Sequence, residues 1–344
     1  MTSNHSRKST KKWLAAVLGL ALVFSAAGCA PKQPQQTQPP ATGNLVDPPK
    51  AGGNQTGQPA AQAKATVYPI KVKDATGKEF TFEKAPFRIV SVSPSETETL
   101  FALGLGDKVV GVSDFCDYPA EAKSKPKMGS IVKPNEEALI GANADVVLTG
   151  VSMKVPVVEQ LRGLKVNMFK VEPKTIDDVM NNIIMFGQIF DKQEQAEKLV
   201  ASMKADRQKV TDAVKDLKPE QKKKVFIEFS PGWTVGKGEF MDELITLSGG
   251  INVSSNVTGY AKLNEEKVIA DNPQVILYPK NLIDEQSKKS MDQIIKERSS
   301  WASIDAVKNN KLSGVDKDTI SRPGPRITAG LLEVAKGIYP ELVK

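Results

Sequence analysis

Two stretches of the chain carry the same acidic motif. Residues 135–137 and 264–266 both read Asn-Glu-Glu, and each motif precedes a short predicted helix and then an apolar strand. Asparagine is a favoured helix N-cap and glutamates complement the positive end of the helix dipole, so either motif alone is simply a well-made helix start. Recurrence with the same following strand indicates two lobes of similar topology, each with carboxylates at its surface. This pattern favours a receptor that docks on a partner over an enzyme.

The side chains that usually carry catalysis or bind metals are scarce. Histidine occurs only as His5, and cysteine only as Cys29 and Cys116. If the first 29 residues are a leader, the remaining body has no imidazole base, no disulfide and no Cys/His set for zinc or haem. Ser93 and Ser230 are the alternative nucleophiles, but neither lies in a Ser-x-x-Lys or Gly-x-Ser-x-Gly motif. We therefore expect no enzymatic activity, no cofactor and no metal site.

Residues 1–29 have the features of a targeting segment. A basic stretch with four Lys and Arg residues is followed by an apolar run from Trp13 to Ala27, which is too short for a typical membrane span. The run ends in small residues before Cys29 and resembles the lipobox of bacterial lipoproteins, in which the cysteine is acylated. The alternative is an ordinary secretory signal with a chance cysteine. We expect lipidation of Cys29 and attachment to the membrane through this lipid only.

The composition of the next segment predicts a flexible tether. Residues 30–65 are rich in Pro, Gln, Thr, Gly and Ala and nearly lack large apolar side chains, so they cannot offset the entropy of ordering. Together with the anchor, the tether would place the folded body on the extracytoplasmic face of the cell membrane. The net charge is +7, of which four charges lie in the leader. No cluster of Lys and Arg interleaved with aromatics suggests nucleic-acid binding.

The rest of the chain predicts an α/β fold with two similar lobes, each a mainly parallel sheet flanked by helices. Strands and helices alternate through residues 66–174 and again through 218–344, which is typical of parallel sheets covered by helices. Between them, residues 175–217 contain no proline and show apolar residues at helical spacing. We expect this segment to be one long helix joining the lobes, or two abutting helices with a break near Asp191.

Several short motifs, in order behind the lipobox-like segment, resemble one family. They are Val92-Ser93-Pro94-Ser95 with Glu98, Gly111-Val112-Ser113 with Asp117-Tyr118-Pro119, both Asn-Glu-Glu motifs, and Trp301 with Ala306-Val307-Lys308 and Arg322-Pro323-Gly324-Pro325-Arg326. Together they are similar to the substrate-binding lipoproteins of ABC importers for cobalamin, haem and iron siderophores. The resemblance implies two lobes joined by one long helix, with the ligand in the cleft between them.

The resemblance also implies positions for the ligand. The family places its ligand against the loops after the strands, where free N–H groups at a helix start can meet ligand oxygens. The aromatic positions could instead hold ordinary packing residues, and Arg326 a structural ion pair, with Arg322 the better cleft cation. The ligand-binding candidates are Ser93, Pro94, Ser95, Phe115, Tyr118, Ile131, Trp233, Tyr260 and Arg322.

The two acidic motifs match the positions through which the family docks on its transporter. By this resemblance Glu137 and Glu266 bind arginine-lined sites of a dimeric ABC permease that works with ATPase subunits, and Glu136 and Glu265 could share the role. The ligand implied is cobalamin, because Phe115 precedes the Asp-Tyr-Pro motif. A ferric siderophore or haem is the alternative within the same transporter type.

Overall fold

The computed structural model describes residues 65–343. The predicted leader, Cys29 and all but the last residue of the predicted tether lie outside the described residues. Within them, no helix has the length and apolarity needed to cross a bilayer.

The first lobe contains a parallel sheet in the order β4-β3-β5-β6, preceded by the antiparallel pair β1–β2. The pair is a β-hairpin: Asp74 accepts hydrogen bonds from Thr76 inside the turn, and Gly77 there has a φ of 84°. The elements are β1 (Ile70–Lys73), β2 (Glu79–Phe82), β3 (Ile89–Ser91), α1 (Pro94–Ala102), β4 (Val109–Val112), α2 (Glu136–Gly141), β5 (Val146–Thr149), α3 (Val155–Gly163) and β6 (Met168–Lys170).

Two consecutive helices connect the lobes. They are α4 (Ile176–Ile189) and α5 (Gln193–Val214), so the one long helix expected for the family is interrupted in this chain. Asp191 has a φ of 56°, a left-handed conformation that ends a helix. Gly187 allows the two helices to approach closely, because a Cβ there would lie 2.6 Å from Ala196 Cβ. At 22 residues, α5 is about 33 Å long.

The second lobe repeats the topology of the first. Its parallel sheet has the order β9 (Ile251–Asn252), β7 (Lys224–Ile227), β11 (Val275–Pro279) and β12 (Leu312–Val315). In both parallel sheets, the second sheet strand along the chain lies at the edge beside the first, and the third and fourth follow on the other side. The elements are β7 (Lys224–Ile227), β8 (Trp233–Val235), α6 (Phe240–Leu247), β9 (Ile251–Asn252), β10 (Tyr260–Lys262), α7 (Glu265–Asp271), β11 (Val275–Pro279), α8 (Met291–Glu297), α9 (Asp305–Lys308), β12 (Leu312–Val315), α10 (Lys317–Ser321) and α11 (Ile327–Ile338).

The central strands of both parallel sheets are buried on both faces. All four residues of β5 are buried, as are three of the four in β7, which is typical of a strand with helices on both sides. One apolar cluster runs from Phe169 in the first lobe through α4 and α5 to Leu331 in α11. The lobes therefore share part of their core, and the connecting helices are packed rather than exposed.

Candidate functional site

The loops after the strands of the two sheets face each other across the lobes. The segment after α10 reaches from the second lobe to the start of α1, where a Cβ on Gly324 would lie 3.1 Å from the Ser95 carbonyl oxygen. Ser95 and Ser93 are buried at this contact. Glycine at 324 therefore permits a close approach of the two backbones.

A bridge of charged side chains crosses between the lobes beside this contact. Glu98 in α1 is 2% exposed and accepts hydrogen bonds from Arg326 Nη2 at 2.6 Å and Nε at 2.8 Å. Arg322 Nη1 donates to the same carboxylate at 3.0 Å and to Asp117 at 2.8 Å. We call Glu98, Asp117, Arg322 and Arg326 the interlobe bridge. Charged hydrogen bonds of this length hold the two lobes together at this edge, and those to Glu98 are largely shielded from water.

The contacts of the interlobe bridge shift the pKa values of its charged groups. The hydrogen bonds to Glu98 raise the pKa of Arg326 above its ordinary value. Partial burial alone would raise the pKa of Asp117, but the hydrogen bond and charge of Arg322 lower it below its ordinary range. Both arginines and Asp117 are therefore charged throughout the neutral pH range. Arg326 also stacks on Tyr118, with its guanidinium carbon 4.0 Å from the ring centre.

A cavity of about 510 Å³ lies between the lobes on one side of the bridge. We call it the aromatic cavity, because Trp233 and Tyr260 line it and are 39% and 43% exposed. They lie at the opposite ends of the paired strands β8 and β10, and Phe229 packs edge-on against Tyr260 with ring centres 5.4 Å apart. The first lobe supplies Val151, Ser152, Glu172 and Lys174. Flat rings facing a shared cavity suit a ligand with an extended apolar surface.

One ion pair joins the lobes within the aromatic cavity. Lys174 Nζ donates to both carboxylate oxygens of Glu239, at 2.8 and 3.0 Å. Burial, and then the charge of Glu239, raise the pKa of Tyr260, so this phenol stays neutral. Lys174 and Glu239 compensate each other's charge, and the cavity therefore presents aromatic and hydroxyl groups beside a neutralised pair.

A second cavity, of about 670 Å³, lies on the side of the bridge where α1 ends. Phe101, Tyr118 and Pro119 line it together with the bridge residues Glu98 and Arg326. The predicted ligand residues are consequently divided. Trp233 and Tyr260 lie in the aromatic cavity, Tyr118 in the larger one, and Arg322 in the bridge between them.

The other ligand candidates line neither cavity. Ser93 and Ser95 are buried, Pro94 and Ile131 are half-buried, and Phe115 is 55% exposed. Their roles stay predictions. The interlobe partners of Arg322 and Arg326 were not assigned from the sequence, and neither was the Lys174–Glu239 pair, because nothing in local sequence marks a contact between residues so far apart along the chain.

The two acidic helix starts are alike in their local contacts. Asn135 caps α2 and Asn264 caps α7, each by accepting the N–H of the residue three positions on. Glu136 accepts a hydrogen bond from Gln160 at 2.6 Å, and Glu265 accepts one from Ser300 at 3.0 Å. The second glutamate of each motif is exposed, and its carboxylate makes no hydrogen bond or ion pair with the described part of the chain.

Comparison with known proteins identifies the family. The family model described as periplasmic binding protein matches residues 89–319, which is about two thirds of the chain. The chain belongs to the periplasmic binding protein family. The resemblance inferred from the short motifs is thereby confirmed.

Relatives of the chain carry transport-related names. It is 33% identical to the ABC transporter substrate-binding lipoprotein YvrC of Bacillus subtilis, over 83% of this chain and 90% of the relative. It is 26% identical to a cobalamin-binding protein of Halobacterium salinarum, over 82% of this chain and 78% of the relative. The chain also resembles the crystal structure of a possible iron-binding periplasmic solute-binding protein from Staphylococcus epidermidis, with 32% sequence identity and a TM-score of 0.63. This match covers 74% of the present chain and all of the other.

Within residues 65–343, no group of three or more His, Cys, Asp or Glu side chains is arranged to hold a metal ion.

Proposed function

We propose that the protein is the solute-binding component of an ABC importer, anchored through lipid on Cys29 at the extracytoplasmic face of the membrane, and that it captures cobalamin between its lobes. The observation that carries the proposal is the aromatic cavity, in which Trp233 and Tyr260 face the first lobe. A corrinoid has a broad, largely uncharged ring system, and such a surface gains most from stacking and apolar contact. The relative named as a cobalamin-binding protein supports the same ligand.

A ferric siderophore or haem is the second candidate. It is favoured by the relative described as possibly iron-binding, and by the two arginines near the cleft, since oxygen-rich anionic ligands pair well with guanidinium groups. In this structure, however, Arg322 and Arg326 already bind Glu98 and Asp117. An anionic ligand would have to replace these carboxylates, whereas a neutral corrinoid would not.

Tryptophan fluorescence distinguishes the two ligands. Beyond the predicted leader the chain has two tryptophans: Trp233 lines the aromatic cavity, and Trp301 is fully buried against Phe226. Cyanocobalamin is expected to quench Trp233, and Trp233→Phe should abolish most of that signal while Trp301→Phe retains it. Saturable quenching by a ferric hydroxamate or hemin, without any by cyanocobalamin, would replace the first candidate by the second.

For delivery, we propose that Glu137 and Glu266 dock on the two halves of the permease. The neighbouring glutamates are held within their own lobes by Gln160 and Ser300, which leaves the second glutamate of each motif available to a partner. Exposed carboxylates meeting basic sites orient a complex and raise its association rate. The double variant Glu137→Lys/Glu266→Lys should bind ligand normally and lose uptake in cells. The matched control, Glu136→Gln/Glu265→Gln, should retain uptake, and the same loss in both variants would refute the assignment.

A further inference from the structure

A buried carboxyl group lies behind the first lobe's wall of the aromatic cavity. Glu96, in the first turn of α1, is almost fully buried, and its Oε2 makes no hydrogen bond within the described residues. A Cβ on Gly150 would lie 2.6 Å from this oxygen and 2.7 Å from Ser93 Oγ. Glu96 and Ser93 therefore pack against Gly150 and occupy the space that a side chain at this position would need. An unpartnered buried carboxylate oxygen is costly, and the cost is much smaller when the group is neutral.

Gly150 connects this carboxyl to the cavity wall. The next two residues, Val151 and Ser152, line the aromatic cavity. Lys170, buried at the end of β6, donates from Nζ to the Gly150 carbonyl at 2.9 Å and lies 3.3 Å from Glu172 Oε2. Glu172 also lines the cavity. Gly150 is thus held by the ammonium of Lys170 through its carbonyl oxygen, and Glu96 packs against the same residue.

The charges around Glu96 come from two elements. Lys170 faces it from β6 and Glu98 from its own helix; Lys170 is in turn paired with Glu172, and Glu98 with Arg322 and Arg326. Burial is the main influence and raises the pKa of Glu96 to about 7. The hydrogen bond from Ser93, the backbone of Glu96 and the charge of Lys170 oppose this rise, and Glu98 adds to it. The ammonium of Lys170 is bound to Gly150 and Glu172, an arrangement that fits a neutral Glu96.

We propose that Glu96 is a pH-responsive positioning residue for ligand binding, acting through Lys170 and the 150–152 loop without touching the ligand. Neutral Glu96 leaves Lys170 on Gly150 and Glu172 and keeps the cavity wall in place. Ionised Glu96 competes for the ammonium, and the wall loses its fastening. The proposal rests on the proposed function, in which the aromatic cavity holds the ligand.

The expected effect is a loss of ligand affinity as pH rises from 6 to 8. Losing one hydrogen bond from a charged donor weakens binding by roughly tenfold. A single titrating group limits the change to about tenfold per pH unit. The Glu96→Gln variant, neutral at every pH, should show a flat profile close to the wild-type affinity at pH 6.

The first measurement needs no ligand. Carboxyl ¹³C NMR of the wild-type protein should show Glu96 titrating near neutrality, and the methyl signals of Val151 should shift with the same midpoint. A Glu96 that titrates at an ordinary glutamate pKa, or Val151 signals that stay constant between pH 6 and 8, would overturn the proposal. This result stands whether or not any variant folds.

The second measurement uses binding. Cyanocobalamin affinity is measured by calorimetry at pH 6, 7 and 8 for wild type, Glu96→Gln and the control Glu83→Gln, which changes an exposed carboxylate of the first lobe. A pH dependence that persists in Glu96→Gln contradicts the proposal, whereas loss in this variant alone supports it. If cyanocobalamin fails to bind at all while Val151 still titrates with Glu96, the ligand assignment fails and the link between Glu96 and the cavity wall holds.

Discussion

Removing the charge of Glu98 should separate the lobes at one edge. In the interlobe bridge this carboxylate is 2% exposed and receives three hydrogen bonds from two arginines of the other lobe. Glu98→Gln preserves the shape of the side chain but leaves Arg326 with no carboxylate to accept its hydrogen bonds. Arg322 keeps Asp117 and Asp318. The substitution therefore isolates the loss of charge at a single point between the lobes.

The magnitude follows from burial. Breaking a buried ion pair by neutralising one partner costs about 3–5 kcal/mol, because the other charge stays desolvated. The Arg326 side chain is 25% exposed, so water recovers part of its solvation, and we expect about 3 kcal/mol. For a chain of this size the melting temperature should fall by roughly 5 °C. Small-angle scattering should also show a larger radius of gyration, since the bridge connects the lobes.

Asp117→Asn is the matched control. It removes the other carboxylate of the bridge, whose side chain is 51% exposed, and an exposed pair contributes less than about 1 kcal/mol. Urea unfolding of both variants measures the difference. A loss below 1 kcal/mol for Glu98→Gln would show that the bridge does not hold the lobes together, and equal losses in the two variants would refute the argument from burial.

Three further predictions concern other parts of the molecule. The pKa of Glu96 is raised from 4.5 to about 7, so its stabilising contribution is complete below pH 4.5 and is lost as pH rises through 7. Urea unfolding should therefore show about 2–3 kcal/mol less stability at pH 8 than at pH 5, and Glu96→Gln should abolish this pH dependence. Arg298→Lys should cost about 2–3 kcal/mol in the same assay, since Arg298 binds the fully buried Glu228 through two hydrogen bonds; an unchanged midpoint would contradict this. Gly236→Ala should lower ligand affinity, measured by calorimetry, because a Cβ at this position would lie 2.1 Å from the Val257 carbonyl oxygen and would displace the strands that carry Trp233 and Tyr260. An unaltered affinity would count against the aromatic cavity as the ligand site.

Much of the fold was predictable because it depends on local patterns. The repeated Asn-Glu-Glu motif predicted two lobes of similar topology, and both sheets have the same strand order. The alternation of strands and helices predicted parallel sheets covered by helices, and β5 is fully buried, as a strand with helices on both sides should be. The break between α4 and α5 falls at Asp191, the residue considered as a possible interruption. In each case the signal lies within a few residues of the feature it predicts.

The arrangement of the candidate site depended on contacts that no local pattern encodes. Glu98 and Arg326 are 228 positions apart in the chain, and only the folded lobes bring their side chains together. The sequence predicted Arg322 as a cleft cation, because it lies next to a proline in a loop. Its partner Asp117 lies 205 positions away. Aromatic residues were easier to select than to place: Trp233 and Tyr260 share a cavity, whereas Phe115 lines neither one.

The acidic motifs show how structure refines a sequence signal. Two adjacent glutamates at a helix start cannot be told apart by sequence, because their side chains are identical and the helix dipole stabilises both. The fold distinguishes them, because the first glutamate of each motif contacts a neighbouring element of its own lobe, Gln160 of α3 in one case and Ser300 in the other. A carboxylate with a hydrogen-bond partner would have to lose that partner before docking, and one without a partner would not. If docking selects the carboxylate that costs least to engage, Glu137 and Glu266 should carry it in both lobes.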